Sequence, residues 1–367
     1  MMLIVSGMTR RYFIRKMLAT FKSLVMLSLL PNATGNTADA APHYKPLNGR
    51  GLRNIALEKH HHGAGRFVNP LGTERRARFW KVMSWKLFHE NRFKNYLAAQ
   101  RVLPVSIGWE PIQRHKGLSI TFIKHACVMI KDLDRHLLVD PVFSDIFSFI
   151  KDFTPMKVDL NMMPKPDHVL ITHGHYDHLD TSSLETFKPD THVVTPLGYN
   201  EVFQDLGLKN RTQLDWYDTY RDGKRLITLL PCNHWTMRNL LSGANHSLWG
   251  SYVINTSDGY TIYISGDSAY FDGFEQIGKE FDIDLAIFNL GAYEPRWFMA
   301  QSHMNPREVV QAFRELNAKK LMIVHWGTFR LGDEPVHFPP IQIEQELKKK
   351  GLLDRWVVLN HGQTLYL

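Results

Sequence analysis

The sequence predicts an α/β protein, a four-layer sandwich of two sheets with helices outside, preceded by an N-terminal helical extension. Three observations carry this. From about residue 118, short runs rich in Val, Ile and Leu alternate with turns and helical stretches, the pattern of strands mixed with surface helices. Residues 73–103 contain neither Gly nor Pro and place Phe79, Trp80, Met83, Leu87 and Phe88 at helical spacing among Arg and Lys. A composition of 44% hydrophobic and 22% charged residues over 367 positions is that of a globular chain with one large core or two small ones.

Residues 1–40 read as an export signal. TRRYFIRK at 9–16 is followed by the apolar MLATFKSLVMLSLL, Pro31 and ADA at 38–40, which is a charged, apolar and A-x-A layout. Arg10 and Arg11 with Phe13 and Ile14 resemble the twin-arginine pattern, so a periplasmic location is expected; a mitochondrial presequence or a membrane-associated anchor is the alternative. The apolar run, broken by Lys22, is short for a membrane span.

Residues 41–117 form the extension. HHHGAG at 60–65 and FVNPLG at 67–72 suggest an exposed irregular lead-in, with His60, His61 and His62 a solvated tract. The helix within 73–103 is basic and amphipathic, which suits a lipid surface or a substrate cap, although packing of the apolar stripe on the core is the commoner role of such a helix.

Residues 118–367 form the main domain. Candidate strands are 119–123, 136–140, 167–172, 191–195, 226–230, 251–255, 260–265, 284–289, 321–325 and 356–360. Helices fit 305–317 and 341–350. In the first, Asn305 can cap, Pro306 suits the first helical position and Glu308 completes a capping box.

Charge and cysteine content exclude several classes. Of the formal +8, five basic residues lie in the first forty positions against Asp39 alone, so no concentrated basic stripe remains and nucleic acid is not an expected partner. Two cysteines, Cys127 and Cys232, make neither a disulfide framework nor a Cys-rich zinc module.

The chemistry concentrates in ITHGHYDHLD, residues 171–180. His173 and His175 are two apart, which in extended backbone puts both side chains on one face, and Asp177 and His178 follow once the chain has begun to turn. These four crowd a single ion but can supply two adjacent ions with two ligands each, so the motif predicts a two-metal site. Imidazole and carboxylate donors suit zinc and related divalent ions. Strand ends of a sandwich converge on one edge, and three more of them offer donors: His234 after LITLLPCN, Asp267 after YTIYISG and His325 at the end of LMIV.

With these residues the chain resembles the metallo-β-lactamase superfamily over roughly 118–367, its H-x-H-x-D-H motif falling on His173, His175, Asp177 and His178. The resemblance implies the αββα fold of that superfamily. It also implies one ion on His173, His175 and His234, a second on Asp177, His178 and His325, and Asp267 bridging them. The segments HYDHLD, PCNHW, LWGSY, GAYEPRWFM, HMNP and VHWGTF are similar to the branch that hydrolyses N-acylphosphatidylethanolamine in a phospholipase D reaction. That likeness puts substrate-contacting roles on Tyr176 and His303. Lys124 and Ser302 depart from the branch pattern, as does the lack of an Arg-rich stretch near 151–156.

The expected activity is therefore that of a dinuclear metal-dependent hydrolase, a phosphodiesterase in which the two ions, zinc in first place, activate water. Asp177 and Asp267 hold and orient the ions, and His303 donates a proton or hydrogen bond. The expected partner is a phospholipid or other phosphodiester, with peripheral membrane contact and a homodimer both open. A lactonase or amide hydrolase on the same site is the alternative, and a non-catalytic envelope scaffold the second. Trp235, Trp249, Trp297 and Trp326 are expected to fill the core.

Overall fold

A computed structural model describes residues 44–73, 85, 90–157, 159–187, 190–238 and 243–367. The export signal and residues 74–84 and 86–89 of the predicted amphipathic helix lie outside them. The described residues contain thirteen strands: β1 (Ser119–Lys124), β2 (Cys127–Asp132), β3 (Arg135–Val139), β4 (His168–Leu170), β5 (His192–Pro196), β6 (Arg211–Leu214), β7 (Thr219–Asp222), β8 (Arg225–Leu230), β9 (Ser251–Asn255), β10 (Thr261–Ile264), β11 (Leu285–Asn289), β12 (Lys320–Val324) and β13 (Thr364–Tyr366). They build one sheet in the order β13-β1-β2-β3-β4-β5-β6 and a second in the order β12-β11-β10-β9-β8-β7.

Both sheets are covered on both faces, which explains why their strands are apolar at consecutive positions rather than alternate ones. On β10, Ile262 and Ile264 enter the core between the sheets while Tyr263 enters the core under the helices. On β4 and just beyond it, Leu170 points between the sheets, and Val169 and Ile171 point to the other face of the first sheet. Helices Phe274–Glu280, Pro306–Glu315 and Phe338–Lys350 cover the second sheet through Phe274, Ile277, Val309, Phe313, Ile343 and Leu347. Helices Trp109–Arg114 and Asn200–Asp205 cover the first through Trp109, Ile112 and Phe203. Each such side chain contributes about 1.5–3 kcal/mol when removed from water.

The helix Pro306–Glu315 starts as its sequence dictates: Asn305 Oδ1 accepts from Glu308 N at 2.9 Å and Glu308 Oε2 accepts from Asn305 N at 3.0 Å. Two expectations need correction. The run 356–360 is not a strand: Leu353–Arg355 is a 3₁₀ turn, and Trp356 makes only a bridge to Leu321. The backbone there crosses from the edge of the second sheet to that of the first, where β13 pairs with β1.

The histidine tract is solvated only in part: His60 and His62 are exposed, and His61 is not. His61 is fully buried, its ring stacked on Trp216 at a centroid distance of 4.1 Å and its Nε2 donating to Asp215 at 2.5 Å. The segment around it is part of the body, since Leu47, Leu52, Ile55 and Leu71 join the core under the helices. In the described residues 90–103 of the predicted helix, the helical stretch is the short turn Lys94–Leu97.

Candidate metal centre

The rim where strands end collects the polar side chains. His173 follows β4, His234 follows β8, Asp267 follows β10 and His325 follows β12 directly. Gly174 lets the loop pass closely: a Cβ there would stand 2.8 Å from Tyr199 Cε1 and 2.9 Å from Thr236 Oγ1. Three non-glycine residues on this rim hold left-handed backbone, His125 (φ 50°), Asp140 (φ 43°) and His325 (φ 69°). Such strain costs on the order of 1 kcal/mol or more per residue and persists where surrounding structure enforces it, here partly through His325 N donating to His125 O at 2.7 Å.

Two groups of donor atoms result, each within 4.8 Å: His173, His175, His234 and Asp267, and His125, Asp177, His178 and His325. Asp267 lies between them. Its Oδ2 is 3.3 Å from His178 Nε2, 3.7 Å from His173 Nε2 and 3.9 Å from His234 Nε2, and its Oδ1 is 3.3 Å from His325 Nε2. Every one of the seven predicted ligands is thus brought to one place. His125 was not foreseen; its Nε2 donates to Asp177 Oδ2 at 3.1 Å and aims that carboxylate.

Hydrogen bonds on the far side of the rings fix which nitrogens point inward unprotonated. His234 Nδ1 donates to Ser302 O at 3.1 Å, and His173 Nδ1 donates to Thr172 Oγ1 at 3.0 Å, an oxygen that itself donates to Asp140. The lone pairs of His173 Nε2 and His234 Nε2 then face His175 Nδ1 at 2.9 Å and 3.3 Å. Three nitrogens converging at these distances leave room for at most one proton, whereas a cation satisfies all of them. His178 Nε2 and His325 Nε2 are buried without a hydrogen bond among the described residues. The donor set therefore fits divalent ions.

A third cluster shows the contrast. His61, His62 and Lys59 all point N–H groups at the Asp215 carboxylate, at 2.5, 2.8 and 2.6 Å, so donors already meet acceptors and no cation is needed. Burial opposes it, yet the hydrogen bonds from His61 and Lys59 hold that carboxyl below the usual range.

Burial pushes the His173 and His234 imidazoles well below their ordinary 6.5 and His175 to about 4, which keeps their lone pairs free. His178 goes the other way: burial opposes protonation, but Asp267, Asp177 and Asp140 outweigh it. The carboxylates favour a cation at that point, and metal binding would displace the proton.

A cavity of about 480 Å³ opens beside the first group, lined by His175, Trp235, Phe298, Met299, His303 and Arg330 among others. His303 Nδ1 is 3.8 Å from Asp267 Oδ2, and burial pushes that imidazole to about 4. Trp235 belongs to the cavity wall rather than the core, with its Nε1 donating to Ser302 Oγ at 3.1 Å; Trp249 is fully buried between the sheets. Tyr176 is placed otherwise: its hydroxyl donates to Arg238 O at 2.7 Å, its ring meets Phe147 edge-on at 5.3 Å, and it does not line that cavity. Lys124 is buried against Asp152 at 2.5 Å.

Comparison with known proteins agrees with this geometry. Residues 135–326 match the family model of the beta-lactamase superfamily domain. The N-acyl-phosphatidylethanolamine-hydrolyzing phospholipase D 1 of Caenorhabditis elegans is 30% identical over 301 residues, 77% of this chain and 84% of its own. The mitochondrial enzyme of that name from Saccharomyces cerevisiae is 33% identical over 257 residues, 66% of this chain but 55% of its own, so the chain spans about half of the yeast protein. The isothiocyanate hydrolase from Delia radicum gut bacteria superposes with a TM-score of 0.55 at 16% identity, covering 67% of this chain and 98% of that one. That likeness is one of fold.

Proposed function

Because the chain belongs to the metallo-β-lactamase superfamily and is one of its metal-dependent hydrolases, we propose that it is a dinuclear phosphodiesterase of phospholipase D type acting on N-acylphosphatidylethanolamine-like lipids. The observation that supports this most is the complete donor set on a chain whose relatives carry that activity in their names. His173, His175 and His234 would hold one ion and Asp177, His178 and His325 the other, with Asp267 between. Zinc suits this mixture of imidazole and carboxylate. Two such ions would supply an activated water and would neutralise charge on phosphoryl oxygens.

The chain's own groups do the rest. His125 and Asp140 fix the orientation of Asp177 and His178 through their hydrogen bonds. His303, neutral at physiological pH and on the cavity wall, offers a ring N–H to the phosphate or to the departing oxygen. Trp235, Phe298 and Met299 provide an apolar wall that excludes water from the reacting group. In the reaction, oxygen from water bonds to phosphorus, the P–O bond to the N-acylethanolamine breaks, the departing oxygen takes a proton, and phosphatidic acid remains. Exposed Phe149, stacked on Phe147 beside Tyr176, supports contact with a lipid surface. Periplasmic export belongs to the same reading and rests on residues 9–40.

The test is hydrolysis of vesicles containing N-acylphosphatidylethanolamine with mass analysis of products, run with and without chelator and beside lactone and β-lactam substrates. N-acylethanolamine and phosphatidic acid released only without chelator is the expected result. Turnover of a lactone or amide alone would replace the phosphodiesterase reading with the other hydrolase.

A further inference from the structure

The segment before residue 73 reaches the metal centre. Asn69, in the FVNPLG stretch, uses its whole amide at once. Its Oδ1 accepts from Leu71 N and Gly72 N, each at 3.0 Å, closing a local turn. Its Nδ2 donates to Asn233 Oδ1 and to the carbonyl oxygen of His234, each at 2.9 Å. Two donors and two acceptors are satisfied, which leaves the amide a single orientation.

The fit around it is tight. A Cβ on Gly72 would stand 2.6 Å from Asn69 Nδ2 and 2.8 Å from Asn233 Oδ1, so glycine is required where the segment lies against the 233–234 loop. That loop is held on its other side by Asn233 N donating to Ser268 Oγ at 3.1 Å and by Asn233 Nδ2 donating to Tyr270 O at 3.2 Å. Ser268 follows Asp267, so the backbones carrying His234 and Asp267 are fastened together, and Asn69 fastens the first of them from outside. Leu47, Leu52, Ile55 and Leu71 anchor the segment itself in the core.

We propose that Asn69 is a positioning residue for the metal centre: by donating to Asn233 and to the carbonyl of His234 it sets the backbone from which the His234 imidazole reaches the ion. The segment 44–72, which precedes the family match at 135–326, is then a working part of the site. The proposal rests on reading His234 as a ligand and is independent of which substrate is cleaved.

Asn69→Asp separates the two jobs of the amide, because the carboxylate still accepts from Leu71 N and Gly72 N but has nothing to donate to the 233–234 loop. The readouts are cobalt affinity by chelator competition and the electronic spectrum of the cobalt-loaded protein, with Leu52→Ala as a variant that loosens the same segment away from the loop. Loss of a partner of this kind typically weakens metal binding about 10–100-fold. The expected result is a loss of that order with an altered spectrum in Asn69→Asp, and wild-type affinity and spectrum in Leu52→Ala at a lower melting temperature. Wild-type affinity and spectrum in Asn69→Asp would overturn the proposal and leave Asn69 as packing alone. If that variant does not fold, Asn69→Ser, which keeps an oxygen for the turn but falls short of His234 O, is read with the same two outcomes. Failure of the wild-type protein to bind cobalt at all would refute the ligand reading itself.

Discussion

His178 Nδ1 donates to Asp140 Oδ2 at 2.8 Å, and Asp140 also accepts from Thr172 N and Thr172 Oγ1 at 2.8 and 2.6 Å. One buried carboxylate thus ties the chain just before His173 to the ring of His178 and fixes the tautomer that turns His178 Nε2 inward. A carboxylate behind a metal-binding imidazole both orients it and raises its basicity.

Asp140→Asn keeps the shape and removes the charge. Metal affinity is expected to fall about 10–100-fold with circular dichroism unchanged, and chelator competition on the purified variant measures it. Unchanged affinity would show that Thr172 and the loop alone hold His178 in place.

His303→Gln is expected to lower kcat about 10–100-fold, the worth of a hydrogen bond from a ring N–H to a charged oxygen, while leaving the bound metal in place. The second readout matters because His303 is near Asp267 yet outside both ligand groups. Loss of an ion in His303→Gln would instead make it part of the metal shell, and unchanged kcat would remove it from the reaction.

Much of this site was legible because its residues stand where strands stop. The strand-end argument that selected His234, Asp267 and His325 applies equally to Asp140 at the end of HLLVD, to Asn289 at the end of DLAIFN, and to His125 just after SITFIK. Asn289 Nδ2 indeed donates to Asp267 Oδ1 at 2.9 Å. A residue that supports a ligand has no spacing signature of its own, so nothing in the H-x-H-x-D-H pattern points to these three. Within the His60–His62 tract the burial of His61 is silent for another reason: it depends on Trp216 and Asp215, more than 150 positions away in sequence, and no local pattern reports such a contact. Four strands have no counterpart among the expected runs: RTQL of β6, TYRD of β7 and TLY of β13 are short and sit at sheet edges, whereas CVMIKD of β2 is apolar and central but follows β1 after only two residues.

Stability is expected to fall with acid even where no metal is involved. Burial pushes His168 and His361 to about 4, against about 6.5 in an unfolded chain. A depressed histidine means that the unfolded state binds more protons between those values. Its contribution is therefore complete above pH 6.5 and is lost as the pH falls from 6.5 towards 4, on the order of 3 kcal/mol for each ring. Urea unfolding at pH 7.5, 5.5 and 4.5 checks the direction. The decline should be shallower in His168→Gln and His361→Gln, and parallel curves in all three proteins would assign the acid sensitivity to other groups.

Tyr176 is where the structure narrows the expectation most. Its hydroxyl already donates to Arg238 O, and the Arg238 guanidinium stands over its ring at 4.9 Å. Burial raises the phenol above its ordinary value, so it stays protonated and keeps that hydrogen bond. A contact between Tyr176 and a lipid would then be made by the ring, continuing the Phe147–Phe149 stack, and not by the oxygen. Tyr176→Phe should keep kcat/KM within about threefold and cost about 1 kcal/mol of stability for the lost hydrogen bond, whereas Tyr176→Ala should raise KM on vesicles far more than on a short-chain soluble substrate. Equal loss in both variants would return the role to the hydroxyl, and equal KM values on the two substrates would take Tyr176 out of lipid contact.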